Sequence, residues 1–468
     1  MKNGNRYWSK LLKKLFAFDD YNKRFFSILL SLCIPIIIQN LISSSVNVID
    51  TVMISSLGEV SVASVGVANQ FFFIFNMCLA GVLGGSGLFI SQFFGKNDIT
   101  NIKKVTALSI LLGLVMSLPF VIIAFVSPES IIHIFSYDSE VVSLCRNYFK
   151  IVVISYPLTA ISMGFGVCSR SIKNPNIGMK CSAIAIVVNV CLNYVLIFGK
   201  FGFPRMGVEG AALATLIARL VEAIIMVWYV YLYKKDYMLR FNIHHFGMFE
   251  KDFLVAYGSK SFPIFLNESF WAVATVCYSV AYAMAGTSAI AASQIATTTS
   301  NFFVMTAMCI AMGSSIMLGN ELGSDHIDRA LDYSKKLGFI VTVTGFLMGI
   351  LLIISIPMLL KVFSVSETLA PDITKIFTIM AIVMALRAFN TFIIIGVLRS
   401  GGDTKMALII EMGSMWLGSV PLTFLAAKWG LPIYLLVRCT SVEEIIKFIL
   451  GVPRALSKKW AVNIVKDL

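Results

Sequence analysis

An ionisable side chain inside an apolar run is costly in a membrane helix, and such positions gather ion and proton chemistry. Asp50 is one, in the stretch Asn47-Val48-Ile49-Asp50-Thr51-Val52-Met53, eight residues before the Gly58 that closes the first apolar run. At 1.5 Å per residue it lies about 12 Å below that end. Asn40, Ser43, Asn47, Asp50 and Thr51 recur at helical i, i+3/i+4, i+7 spacing, so they share one stripe facing away from lipid. Two other runs carry oxygen-bearing side chains to the same depth. Asn193 stands six residues before Gly199, which ends the fifth run, with Asn189 one turn deeper; Thr215 stands eight residues after Gly207, which opens the sixth. One carboxylate among amide and hydroxyl oxygens suits proton exchange or a hard cation such as Na⁺, and equally suits a polar cluster that holds helices together.

The second half of the chain carries a different set. Lys260, Asn267, Glu268, Trp271, Thr275, Tyr278 and Tyr282 fall along one face of the seventh run. Glu268 either meets a cationic ligand, titrates, or pairs with Arg387 of the tenth run. Gln294, Thr298, Asn301, Met305, Met308 and Met312 form a stripe on the eighth; polarizable Met surfaces adapt to varied apolar ligands, and such a stripe also serves ordinary helix packing. Asn40, Asn47, Glu268, Trp271, Tyr278, Gln294, Asn301 and Met305 are thus the candidate lining of a cargo cavity. Arg387, Glu411, Arg438, Glu443 and Glu444 are also at membrane depth and are expected to form ion pairs. Pro35 and Pro263 each remove a backbone bond within a span, which makes them candidate hinges.

The elements that position these residues are helices in a bilayer. Of the 468 residues, 58% are hydrophobic and 13% charged, against about 25% charged in an ordinary soluble chain. A span needs about 20 predominantly apolar residues, and twelve runs qualify: 26–56, 62–91, 104–127, 143–169, 178–199, 208–233, 255–285, 288–319, 335–361, 374–398, 406–427 and 430–450. They divide into a cytoplasmic N-terminal segment (1–25), an N-lobe (26–233), a connecting loop (234–252), a C-lobe (253–450) and a tail (451–468). The lobes repeat each other. Pro35 matches Pro263 at 263 − 35 = 228, and the same offset relates Gly58 to Gly286, Gly85 to Gly313 and Gly95 to Gly323. Each copy has six runs, so the copies share one topology, as parallel repeats flanking a central cavity. The expectation is an all-α polytopic membrane protein of twelve helices in two pseudo-symmetric lobes.

Charge sets the orientation. Roughly 26 Lys and Arg fall on the side of both termini against 5 on the other, which makes the termini cytoplasmic in a multi-pass protein of the cell membrane. That alternation argues against nucleic acid as the partner of a net charge of +13. The first run lacks a small-residue cleavage site and is expected to remain in the mature protein. The nine cysteines are scattered singly within apolar runs and the four histidines lack metal-ligand spacing, so neither a disulfide framework nor a metal centre is expected beyond a possible Na⁺ at Asp50. No G-x-x-x-x-G-K-[ST] loop is present. No cofactor or nucleotide is expected, and transport must draw on an ion gradient; nothing requires an oligomer.

Three stretches resemble the multidrug and toxic compound extrusion (MATE) family. They are Ile34-Pro35 through Asn47-Val48-Ile49-Asp50-Thr51; Gly207-Val208-Glu209-Gly210-Ala211-Ala212-Leu213-Ala214-Thr215; and Leu398-Arg399-Ser400-Gly401-Gly402-Asp403-Thr404. The resemblance implies twelve helices around a V-shaped cavity and antiport of organic cations or drugs against Na⁺ or H⁺ by alternating access. Its cation site, carried over residue by residue, falls on Asp50, Asn189, Asn193 and Thr215. Many members have an aspartate where Asn193 stands, so this site has one formal charge fewer. Glu268 matches an acid of the NorM branch, whose tenth-span aspartate is replaced here by the neighbourhood of Arg387, Ala388 and Asn390. The alternatives are a lipid-linked saccharide flippase of the same superfamily, whose cavity is usually strongly cationic, and an integral-membrane enzyme, for which no paired-acid or His-rich motif is present. The chain is not expected to be an enzyme.

Overall fold

A computed structural model describes residues 19–233, 237–363, 365, 367 and 369–468. The side chain of Asn47 lies outside the described residues. The regular elements among the described residues are helices: α1 (Asp20–Ser55), α2 (Glu59–Lys96), α3 (Ile99–Val126), the short α4 (Pro128–Ile132), α5 (Ser139–Val152), α6 (Ser155–Ser171), α7 (Asn176–Phe198), α8 (Gly207–Trp228), α9 (Lys251–Met284), α10 (Thr287–Gly323), α11 (Ile327–Val362), α12 (Ala370–Thr391), α13 (Thr404–Gly413), α14 (Val420–Lys428) and α15 (Ile433–Leu456). Widened π turns extend α8 (Tyr229–Tyr233) and α12 (Phe392–Leu398) and join α13 to α14 (Ser414–Ser419).

Among the described residues, ten helical segments are long and apolar enough to cross a bilayer, and the pair α5 and α6, bent by 50°, makes an eleventh. The last helix, α15, carries Arg438, Glu443, Glu444 and Lys447 within its length and so falls short on composition alone. The fourth run, counted from the sequence as one span, is broken. Ser155 donates its hydroxyl to Val152 O at 2.5 Å, and Pro157 has no N–H to continue the ladder. Outward faces are apolar, as lipid requires. On α3, Val115, Leu118, Ile122 and Val126 form an exposed stripe; on α11, Phe346, Ile350, Ile354 and Met358 do the same.

The repeat inferred from spacing is visible in the backbone. Gly58 precedes α2 with φ 105° and ψ 167°. Gly286 precedes α10 with φ 108° and ψ 170°. That conformation is open to glycine and strained for any residue with a Cβ, which explains why glycine stands at both places.

The chain divides into two compact units, Pro35–Val273 with Leu468, and Ala274–Asp467 with the residues up to Ile34. The divisions fall inside α1 and α9 rather than in the 234–252 loop. Helix assignment runs unbroken through Pro35 in α1 and Pro263 in α9. In the first unit, α2, α3, α5 and α6 pack around Phe71, Phe75, Phe149 and Tyr156, with the Phe75 and Tyr156 rings stacked at 4.6 Å. Gly81 and Gly84 of α2 let α9 approach at Phe265 and Ile264. In the second unit, α10, α11, α12 and α15 enclose Leu352, Phe377, Met384 and Leu436.

Candidate functional site

The α7–α8 hairpin positions most of the first site. Gly199 ends α7 in the left-handed conformation, φ 67°, with Arg205 N only 2.8 Å from where a Cβ would stand. This tight return sets α7 against α8 and brings Asn189, Asn193 and Thr215 level. Asp50 of α1 completes the group. Asn193 Nδ2 donates to Asp50 Oδ1 at 2.6 Å and to Asn189 Oδ1 at 3.2 Å. Asn189 Nδ2 reaches Thr215 Oγ1 at a longer 3.5 Å. The four residues named from sequence form one hydrogen-bonded chain. Tyr148 of α5 is buried beside Thr215.

The amide of Asn193 has a fixed sense. Its nitrogen faces two acceptors, a carboxylate and a carbonyl, so a flipped amide would set oxygen against oxygen. Its Oδ1 is then left buried, with no hydrogen-bond partner among the described residues. A buried polar atom without a partner needs a reason. Here it is a bare oxygen beside a carboxylate, which is the donor chemistry of a hard monovalent cation.

A second polar group lies two turns further along α8. Arg219 Nη1 donates to Glu222 Oε2 at 2.9 Å, Ser182 Oγ donates to Glu222 Oε1 at 2.7 Å, and Gln39 Nε2 donates to Ser182 Oγ at 2.9 Å. Arg170 at the end of α6 reaches Gln39 Oε1 at 3.4 Å. Arg219 and Glu222 were not singled out from sequence, although an acid inside the sixth run was the same signal that identified Asp50.

The candidate cavity residues divide between the units. Asn40, Glu268 and Trp271 belong to the first, Tyr278, Gln294, Asn301 and Met305 to the second. Gln294 and Asn301 are exposed, and Asn40, Glu268, Trp271, Tyr278 and Met305 are half-buried. Glu268 Cβ lies beside Gly81 of α2. Arg387, weighed above as its partner, lies 4.0 Å from Glu444.

The second unit holds a network that composition hid. Lys447 lies 3.2 Å from Glu443, 3.9 Å from Glu411 and 4.0 Å from Glu444. Arg399 stands 3.8 Å from Glu411. Tyr278 Oη donates to Glu443 Oε2 at 2.8 Å, and Asn390 Nδ2 donates to Glu444 Oε2 at 2.8 Å. The expected ion pairs thus include a lysine that sequence reading had passed over. Three carboxylates and three cationic groups balance within it among the described residues, and the π turns at 392–398 and 414–419 flank it. Such bulges often accompany functional positions.

The MatE family model matches residues 35–195 and 263–425. The two matches begin at Pro35 and Pro263, the offset of 228 found from the glycines. A probable multidrug resistance protein NorM of Thermotoga maritima is 24% identical over 409 residues, covering 86% of this chain and 85% of that one. A solved multidrug resistance MATE family transporter of the MOP superfamily, in its outward-facing conformation, superposes with a TM-score of 0.83 at 18% identity, over 92% of this chain and 96% of that one. The Vibrio cholerae MATE transporter VcmN in its bent form gives 0.80 at 18% identity, over 94% and 99%. These neighbours share the fold, whose twelve membrane helices account for the ten segments, the bent pair and α15. The family match, spanning most of the chain in two register-related copies, shows that this protein belongs to the MatE family of multi-pass membrane transporters.

Proposed function

We propose that the protein is a cation-coupled antiporter that exports organic cations and drugs by alternating access. Na⁺ or H⁺ arriving from outside engages Asp50. With Na⁺, the carboxylate, Asn193 Oδ1 and the hydroxyl of Thr215 are the oxygens within reach; with H⁺, the carboxylate alone takes the charge. Either neutralises a buried acid, and α1 and α2 then repack. A ligand shifts such an equilibrium only by binding one state better than the other. The cation-filled state therefore holds cargo weakly, releases it outward, and returns to face the cytoplasm. The family relative named for multidrug resistance supports the cargo class. The excess of Lys and Arg in alternate loops supports a cell-membrane location with both termini cytoplasmic.

The observation that supports coupling most directly is the buried, unpartnered Asn193 Oδ1 beside Asp50. Ethidium efflux from proteoliposomes, with Na⁺ and proton gradients imposed separately, tests the reading. One of the two gradients should drive efflux. Equal efflux with and without either gradient would contradict coupling.

A further inference from the structure

The polar groups of the first unit form two layers joined through α8. The outer layer holds Asp50, Asn193, Asn189 and Thr215; the inner holds Glu222, Ser182 and Gln39. Three helices give the separation independently. Ser182 precedes Asn189 by seven residues on α7, Glu222 follows Thr215 by seven on α8, and Gln39 precedes Asp50 by eleven on α1. At 1.5 Å per residue these are about 10, 10 and 16 Å, all toward the same side.

Arg219 stands between the layers, four residues past Thr215 and three before Glu222. Its guanidinium is held by Glu222, and its backbone lies one helical turn from Thr215 of the outer layer. Glu222 is 6% exposed, and an ionised acid so buried is costly without a positive charge beside it. The same holds for Asp50 once water is excluded from it. Two carboxylates therefore share two positive charges, one a tethered guanidinium and the other the coupling ion.

We infer that Glu222 is the inner binding site of the coupling cation, which reaches it by exchanging places with Arg219. In the state described here Arg219 occupies Glu222, leaving Asp50 open to an ion from outside. In the exchanged state Arg219 neutralises Asp50 and the ion sits at Glu222, with the hydroxyl of Ser182 as a further oxygen. No charge is created or lost, and no bond other than ion pairs and hydrogen bonds is made or broken. The ion leaves through the end of the layer marked by Arg170. Arg219 then returns to Glu222 and resets the site. The inference rests on the reading of Asp50 as the coupling acid, and supplies the inward half of the path.

The exchange makes a prediction that a structural role for Glu222 does not. Glu222→Gln deprives Arg219 of its partner and frees it to compete for Asp50. The half-saturating external concentration of the driving ion, Na⁺ or H⁺, should rise about tenfold or more in ethidium efflux from proteoliposomes, as loss of a buried charge partner implies. Adding Arg219→Gln removes the competitor. The double variant should recover a half-saturation within about threefold of the parent while its maximal rate stays low, the non-additivity expected of coupled neighbours. An unshifted single variant overturns the inference, as does a double variant whose half-saturation is as poor as the single's, and so does one that regains the parent's maximal rate, since Glu222 would then only anchor Arg219. Asp50→Asn in the same assay separates the two levels. Normal coupling there removes the reading of Asp50 itself, whereas lost coupling with an unshifted Glu222→Gln removes only the exchange.

Discussion

Replacing Lys447 with methionine tests how the second unit tolerates its buried charge. The lysine is 6% exposed and lies 3.2 to 4.0 Å from three carboxylates. Arg387 and Arg399 remain after the substitution, so three acids face two bases and one buried negative charge is uncompensated. Breaking a buried pair by removing one partner costs about 3–5 kcal/mol, whereas removing both is often nearly neutral. Lys447→Met should lower stability by an amount of that order, and adding Glu443→Gln should restore at least half of it. The amide oxygen introduced by Glu443→Gln can still accept from Tyr278, so the hydrogen bond at 2.8 Å need not be lost. The assay follows from the cysteines: Cys33, Cys145, Cys168, Cys181 and Cys309 are buried and outside any disulfide, so a fluorogenic thiol reagent reports heating-induced opening. A midpoint unchanged by Lys447→Met, or a double variant less stable than the single, would refute the charge-balance reasoning.

Two further outcomes follow from packing and titration. Gly81→Val should destabilise the first unit by about 1–3 kcal/mol or more through overpacking, because a Cβ at Gly81 would stand 2.7 Å from Phe265 Cα; an unchanged thiol-opening midpoint would contradict that contact. Tyr237, beyond the end of the sixth span, donates to Ser169 at 2.7 Å, since the Ser169 proton goes to Asn174 O. Burial pushes its phenol up to about 12 from 10.0. The folded state thus keeps a proton that the unfolded state loses near pH 10, so this contribution is complete below pH 10 and is lost as pH rises to about 12. Alkaline titration of phenolate absorbance, wild type minus Tyr237→Phe, should show one phenol ionising near pH 12; one near 10 would refute the assignment.

Much of the architecture was legible because repetition leaves a register. Gly58 and Gly286 are spaced like Pro35 and Pro263, and the backbone shows why glycine is needed at both. Asp50, Asn189, Asn193 and Thr215 were legible for a different reason. Helical spacing and depth below a glycine-marked end are both countable, and the four side chains do meet. Glu222 escaped because its base, Arg219, stands one turn away and makes the stretch look like a neutral helical pair. Lys447 escaped likewise, three and four residues from Glu444 and Glu443 near the expected end of the last run. The bend between α5 and α6 has a serine at the start of α6 bonding back to the last carbonyl of α5, which hydropathy does not register. The cargo residues were chosen by periodicity on single helices, and periodicity carries no information on which helices belong to one compact unit.

The central claim is that neutralising Asp50 couples the ion gradient to export. Asp50→Asn keeps the size of the side chain and removes its charge. In proteoliposomes the variant should reconstitute as the parent does and, as a mimic of the neutralised state, bind ethidium more weakly and show no efflux above the leak under either a Na⁺ or a proton gradient. Gradient-driven efflux at the parent's rate would contradict the account.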